Sequence, residues 1–173
     1  MRLRITLILV ALGLVTPVAS ASERTIVATT EVRAPVSEVW KAWTTTEGIA
    51  SFFAPESKID LRPNGAFEMY FDPKAPEGLR GGEGNEFLTV DPEKMLTFTW
   101  NAPPHLKTVR NQRTWVMIHF ERIDANCTRV RLTNGGFGEG GNWDKSFEYF
   151  SKAWPDYVMK SLRERFEKNP VTD

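Results

Sequence analysis

The stretch Gly136-Phe137-Gly138-Glu139-Gly140-Gly141 spells G-x-G-x-x-G, a spacing that lets a tight turn press backbone amides against a pyrophosphate at a helix N-terminus. That chemistry also needs a parallel strand beyond the helix, with an acidic residue about 20 positions on to hold the ribose. After Gly141 the sequence holds one long helical pattern and a polar tail, Lys168 to Asp173, and no further strand. The glycines are therefore read as a connection between a last strand and a helix. His105 and His119 are the only histidines, and no His, Cys or carboxylate pair has metal-ligand spacing, so neither a zinc nor a haem site is expected and no cofactor is assigned. A pocket enzyme would need a general acid or base. Candidates are His105 between Pro104 and Leu106, Glu86, and Asp144 at the start of the last helix, none with a partner identifiable from spacing. No G-x-S-x-G nucleophile motif occurs. Cys127 is alone, which excludes an intramolecular disulfide and leaves a hairpin-tip thiol or, as the minority reading, a covalent dimer. The triplet Asn126-Cys127-Thr128 matches a glycosylation sequon that matters only in a eukaryotic secretory route.

The N-terminus sets an expected compartment. Arg2 and Arg4 precede an apolar run from Ile5 to Val15, followed by Pro17 and the small residues Ala19-Ser20-Ala21. This is the layout of a secretory signal peptide cleaved after Ala21. The apolar run falls short of the roughly 20 residues of a membrane span, so no stable span is expected after cleavage. Residues 22–173 are then one domain, exported to a periplasm or the extracellular medium. Lys plus Arg and Asp plus Glu number 22 each, and the leader takes Arg2 and Arg4, leaving a slightly acidic mature chain. A nucleic-acid partner, which favours a basic stripe, is not expected.

The elements that must position any site follow from periodicity. Residues 24–35 are β-branched-rich and end at Ala34-Pro35, a first strand. Val36, Val39, Trp40 and Trp43 then share a helical face, with Ser37 and Glu38 as capping chemistry; a break at Gly48 and a short second helix follow. Pro63-Asn64-Gly65, Asp91-Pro92-Glu93-Lys94 and the region from Asp124 to Cys127 are hairpin turns. Alternation turns inward Phe67, Met69 and Phe71, then Leu96, Phe98 and Trp100, then Val116, Ile118, Phe120, Val130 and Leu132. Trp115, Met117 and His119 point the other way. A last helix carries Trp143, Phe147, Phe150, Trp154, Tyr157 or Val158, Leu162 and Phe166 on one stripe, with Asn142 as N-cap and a kink or division at Pro155.

This order of strand, helix pair, six-stranded antiparallel meander and long C-terminal helix resembles the START-like, birch-pollen-allergen-like (SRPBCC) superfamily. Residues 32–55, 61–69, 84–100, 127–140 and 153–166 resemble, more closely, its branch named after the activator of heat-shock-protein ATPase homologue. Phe52-Phe53 departs from the Trp-Phe pair usual there. The resemblance implies an α+β helix-grip fold, a curved antiparallel sheet around the C-terminal helix, with a cavity that in many relatives takes a lipid, sterol, polyketide or other apolar molecule. Phe67, Met69, Phe71, Phe98, Trp100, Trp154, Tyr157 and Val158 are the candidates to line the cavity, suited by aromatic and thioether adaptability, the alternative being that they simply fill the core and leave no cavity. Polar groups would come from Glu86, Arg110, Arg113, His105 or Tyr157. Loops 72–84, 101–112 and 136–141 are candidate gates, Gly81-Gly82 pliant and Pro103-Pro104 stiff.

Three roles are open at this level. The first is a non-catalytic exported protein holding an apolar small molecule. The second is a cyclase- or hydrolase-type enzyme using the same cavity. The third is a co-chaperone-like interaction module using the outer sheet face around Trp115, Met117 and His119; an exported location separates the chain from an intracellular chaperone and its ATP.

Overall fold

The computed structural model describes residues 24–171, so the leader expected over residues 1–21 lies outside the described residues. Strand β1 (Ile26–Val32) alternates buried and exposed positions along its length, as a strand with one face on a core must. Helix α1 (Val36–Thr44) buries Val36, Val39, Trp40 and Trp43. Its first amides, on Glu38 and Val39, donate to the Pro35 carbonyl, and no side chain caps it; Glu38 pairs with Lys41 instead. The break before α2 (Thr46–Ala50) falls at Thr45, whose hydroxyl accepts from the Gly48 amide at 3.0 Å. Gly48 is inside α2, not at the break, because the two short helices cross so closely that a Cβ there would lie 2.7 Å from the Ala42 Cα.

Strands β2 (Glu56–Ile59), β3 (Phe67–Tyr70) and β4 (Gly81–Gly82) form one antiparallel sheet. Strands β5 (Phe87–Asp91), β6 (Met95–Trp100), β7 (Thr114–Asp124) and β8 (Cys127–Gly135) form another with β1, in the order β1-β8-β7-β6-β5. The sheets join through an Ala66–Glu86 bridge, with Phe67 donating to the Asn85 carbonyl and Phe87 to that of Gly65, both at 2.9 Å. The result is one curved antiparallel surface with a strand more than the expected meander. The expected turns close the hairpins: Asn64 and Glu93 take positive φ of 60° and 59°, and Asp124 accepts from the Asn126 amide.

The concave face carries the core. Phe67, Met69, Leu96, Phe98, Val116, Ile118, Val130 and Leu132 are fully enclosed. Each such side chain contributes roughly 1.5–3 kcal/mol by leaving water. Phe71, expected in the same row, lies beyond the end of β3 and is 47% exposed, because the chain turns away there into the loop before β4.

Short helix α3 (Lys107–Arg110) precedes β7. The C-terminal helix comes in three pieces: α4 (Gly141–Ala153), a π-helical turn (Trp154–Met159) and α5 (Lys160–Lys168). Pro155 has no amide to return to the preceding turn, and widening the ladder accommodates it without dividing the helix. Phe150, Trp154, Val158, Leu162 and Phe166 face the sheet. Asn142 does not cap α4. That role falls to Gly140, whose amide donates to the Asp144 carboxylate, while Asn142 donates across to the Thr108 hydroxyl of α3 at 2.8 Å. Among the described residues no helix is long and apolar enough to cross a membrane.

Candidate functional site: an aromatic cavity under the C-terminal helix

Three elements meet where β6 ends. The turn after α2 brings Phe52 and Phe53 inward, β6 delivers Trp100, and the helix lowers Phe150, Trp154 and Val158 onto them. Between them lies a cavity of about 240 Å³, with Phe71, Tyr149 and Tyr157 at its rim and Ala153 and Ser161 along the helix. Tyr157 is 70% exposed and so belongs to the mouth. A side pocket of about 60 Å³ continues past Phe71, Trp100 and Phe150 to Gly81, Gly82 and the Asn101–Pro104 segment.

Phe53 is the hub of this cluster. Its ring lies 5.7 Å from that of Phe71, 5.8 Å from that of Trp100 and 6.0 Å from that of Trp154. Such offset and tilted aromatic pairs each add about 0.5–1.5 kcal/mol beyond area burial. The tryptophans differ in anchorage. The Trp154 indole donates to the Asn134 side-chain oxygen at 3.0 Å, and Asn134 donates to the Trp115 carbonyl, so this ring is fixed by a buried chain of hydrogen bonds. The buried Trp100 indole N–H has no hydrogen-bond partner among the described residues, leaving ring contacts to hold it.

Of the expected lining, Phe71, Trp100, Trp154, Tyr157 and Val158 are at the cavity. Phe67, Met69 and Phe98 are not. They are fully enclosed in a neighbouring cluster with Phe87, where the Phe67 ring lies 4.2 Å from Phe98 and 4.7 Å from Phe87, because the bend between the sheets folds them against each other. Phe52, Phe53, Tyr149, Phe150, Ala153 and Ser161 complete the lining. Phe52-Phe53 is the signal a sequence reading can use, since paired aromatics after a short helix face whatever that helix abuts.

The polar candidates sit elsewhere. Glu86 and His105 are exposed, and Asp144 pairs with Arg24 at 2.5 Å, a contact that holds its carboxyl below the usual range. Arg113 points to the Gly84 carbonyl at 3.3 Å. Arg110 is a staple. Its guanidinium donates to the carbonyls of Ala102 at 2.6 Å, Gly78 at 2.8 Å and Gly81 at 2.8 Å, tying two of the expected gate loops together. Beside it Glu83, 8% exposed, accepts from the Gly78 amide, the Arg80 amide and the Arg80 guanidinium at 2.7–3.0 Å. Burial pushes the Glu83 carboxyl up, and these donors together outweigh it, holding it below its ordinary value. The Gly81-Gly82 pair is correspondingly not a pliant gate. It is strand β4, and its lack of side chains admits two cavity residues: a Cβ on Gly81 would lie 2.5 Å from the Phe71 ring, and one on Gly82 would lie 3.0 Å from that of Trp100. The glycine stretch before α4 is pinned as well, with Arg24 donating to the Gly138 carbonyl and Phe137 edge-on to Phe147 at 5.2 Å.

On the outer face His119 is exposed and lies 3.2 Å from the Met117 sulfur. Cys127 stands at the start of β8 beside the last hairpin turn, and burial pushes its thiol up, away from the reactive thiolate. Among the described residues no group of three His, Cys, Asp or Glu side chains could hold a metal ion.

A curved antiparallel sheet closed over a long C-terminal helix, with an apolar cavity at their junction, is the α+β helix-grip architecture of START-like (SRPBCC) proteins. Residues 33–167 match the family described as Activator of Hsp90 ATPase homolog 1-like protein, and the chain belongs to it. Solved structures agree on the fold. A Mesorhizobium loti protein aligns with a TM-score of 0.65 at 18% identity, over 85% of this chain and 99% of that one. An HSP90 activator from Plasmodium falciparum aligns with a TM-score of 0.62 at 16% identity, over 83% and 96%. The Aha1 dimer from Colwellia psychrerythraea aligns with a TM-score of 0.63 at 16% identity, over 85% and 98%. A search of curated proteins returns no match. Membership fits either a ligand-binding or a co-chaperone-like module.

Proposed function

We propose that this chain is an exported, non-catalytic binding protein that takes an apolar small molecule into the cavity formed by Phe53, Trp100, Phe150, Trp154 and Val158. The observation that carries the reading is the aromatic cavity itself, about 240 Å³ and open at a rim of Phe71, Tyr149 and Tyr157. Apolar walls with a few polar groups are the usual make-up of small-molecule sites, and this volume suits a short acyl chain or a small ring system better than a two-tailed lipid. A binding role is favoured over the cyclase or hydrolase alternative because, among the described residues, no carboxylate or imidazole lines the cavity. Export is supported by the sequence of residues 1–21 alone.

Native mass spectrometry of protein purified from its native compartment, before and after organic extraction, tests the reading. A stoichiometric small molecule lost on extraction is the expected result. A bare protein that also refuses a fluorescent apolar probe, and in which such a probe leaves the emission of Trp100 and Trp154 unchanged, would overturn it and return the co-chaperone-like module to first place.

A further inference from the structure

Phe52, Phe53 and Ser161 line the cavity on one side and, on the other, a wide open groove of about 760 Å³ that runs between the turn after α2 and helix α5. The far wall of the groove is charged, carrying Glu164, Arg165 and Lys168. Glu164 is engaged from both directions, by Lys160 at 3.8 Å and by Lys168 at 3.4 Å. Arg165 is not matched by any carboxylate within 4.0 Å among the described residues. Its Nε donates to the Ser51 hydroxyl at 2.8 Å, and that hydroxyl donates in turn to the Gly48 carbonyl, so the guanidinium plane is fixed. Its charged carbon lies 4.0 Å from the centre of the Phe166 ring. The terminal nitrogens hold no hydrogen bond within the described chain. Burial pulls the group below its ordinary value, and the opposing charge it feels is that of Glu38, itself paired with Lys41 at 2.7 Å.

A half-buried, oriented guanidinium with unused donors, next to an aromatic cavity that shares its wall, is matched by one kind of molecule. We propose that the ligand is an amphipathic anion whose apolar body enters the aromatic cavity and whose carboxylate- or sulfonate-type head pairs with Arg165 in the groove. Ser161, at the junction, faces the linkage between the two parts. Lys168 adds a second positive charge further out and is partly neutralised by Glu164.

Because it rests on the binding reading above, the two are tested apart with a matched pair of probes. Anilinonaphthalene sulfonate and neutral N-phenylnaphthylamine share one ring system and differ in the acidic head. The full mature chain is titrated with each, and with each again in Arg165→Gln, Arg165→Lys and Phe53→Ala, with near-ultraviolet circular dichroism reporting that the variants are folded. Expected are tighter binding of the sulfonate by roughly tenfold, the worth of a charge-assisted hydrogen bond, and loss of that margin in Arg165→Gln with the neutral probe unchanged. Arg165→Lys restores part of the margin, added salt erodes it, and Phe53→Ala weakens both probes. Equal binding of the two probes, untouched by Arg165→Gln, overturns the anionic head and leaves the cavity reading standing. Failure of both probes overturns both. Cosedimentation with phosphatidylglycerol vesicles that needs Arg165, without preference for the sulfonate, overturns the free ligand in favour of a membrane surface.

Discussion

Two regions meet at Trp100 and are built on opposite plans. On one side, Glu83, Asn101 and Arg110 bind the loops flanking β4 and α3 through short hydrogen bonds to backbone amides and carbonyls, and the Arg80 guanidinium donates to the Glu83 carboxylate. On the other, Phe53, Phe71, Phe150 and Trp154 enclose space. The polar side is rigid because its donors have acceptors at hydrogen-bond distance. The aromatic side keeps room because rings meeting at 5–6 Å, some stacked and some tilted, touch without interlocking. The cavity thus sits where apolar shape is loosest, braced by a neighbour where polar geometry is tightest.

The contrast can be broken from either side. The largest effect is expected below both regions: Phe98→Ala, in a fully enclosed ring cluster, lowers stability by about 3–5 kcal/mol in chemical denaturation. Trp100→Ala has a smaller effect, since part of that ring already faces space, and it abolishes probe uptake in the molecules that remain folded. A loss as large as that of Phe98 with unchanged uptake would make Trp100 core and nothing more. On the polar side, Glu83→Gln costs about 1.5–3 kcal/mol by weakening charged hydrogen bonds, and probe affinity falls because β4 no longer supports Phe71 and Trp100.

The pH dependence has a definite sign. The Glu83 carboxyl is held lower in the folded chain than its ordinary unfolded value of about 4.3, so its contribution is present above that value and is lost as pH falls through the folded one. Denaturation midpoints of the wild-type chain should drop below about pH 4, and less steeply in Glu83→Gln. An identical acid limb in the variant would remove Glu83 from the account. The smallest effect belongs to the rim. Tyr157→Ala leaves stability within about 0.5 kcal/mol, as for other exposed positions, while shortening the lifetime of bound probe in a stopped-flow release experiment.

Alternation and the proline and glycine turns made the inward rows, the hairpins and the helical stripe legible, because those signals are local. The cavity was legible only in part. Trp100, Trp154 and Val158 could be placed there by facing direction, while Phe71 and Tyr157 reach only its rim; Phe67, Met69 and Phe98 obey the same alternation and are sealed off by the bend between the sheets, a long-range feature. Gly81-Gly82 reads as a hinge by composition. Its actual reason, two aromatic rings lying against a bare backbone, depends on residues from β6 and the chain beyond β3. Arg110 likewise reads as a pocket cation until its three backbone acceptors are seen.

The π-helical turn at Trp154–Met159 bears on what a shortened chain would do. A wide turn takes up an extra residue, and in an α-helix one residue is worth about 100° of rotation. Deleting a single residue within it, such as exposed Asp156, would let α4 run into α5 as one ordinary helix. Leu162 and Phe166 would keep their place on the sheet, one position earlier in the sequence, whereas an α-helical turn that kept the residue would swing them off it by that angle while Phe150 stayed in place. The turn thus acts as a phase shifter between two amphipathic helices, and the same chain without it would carry the α5 stripe one position earlier to grip the same sheet.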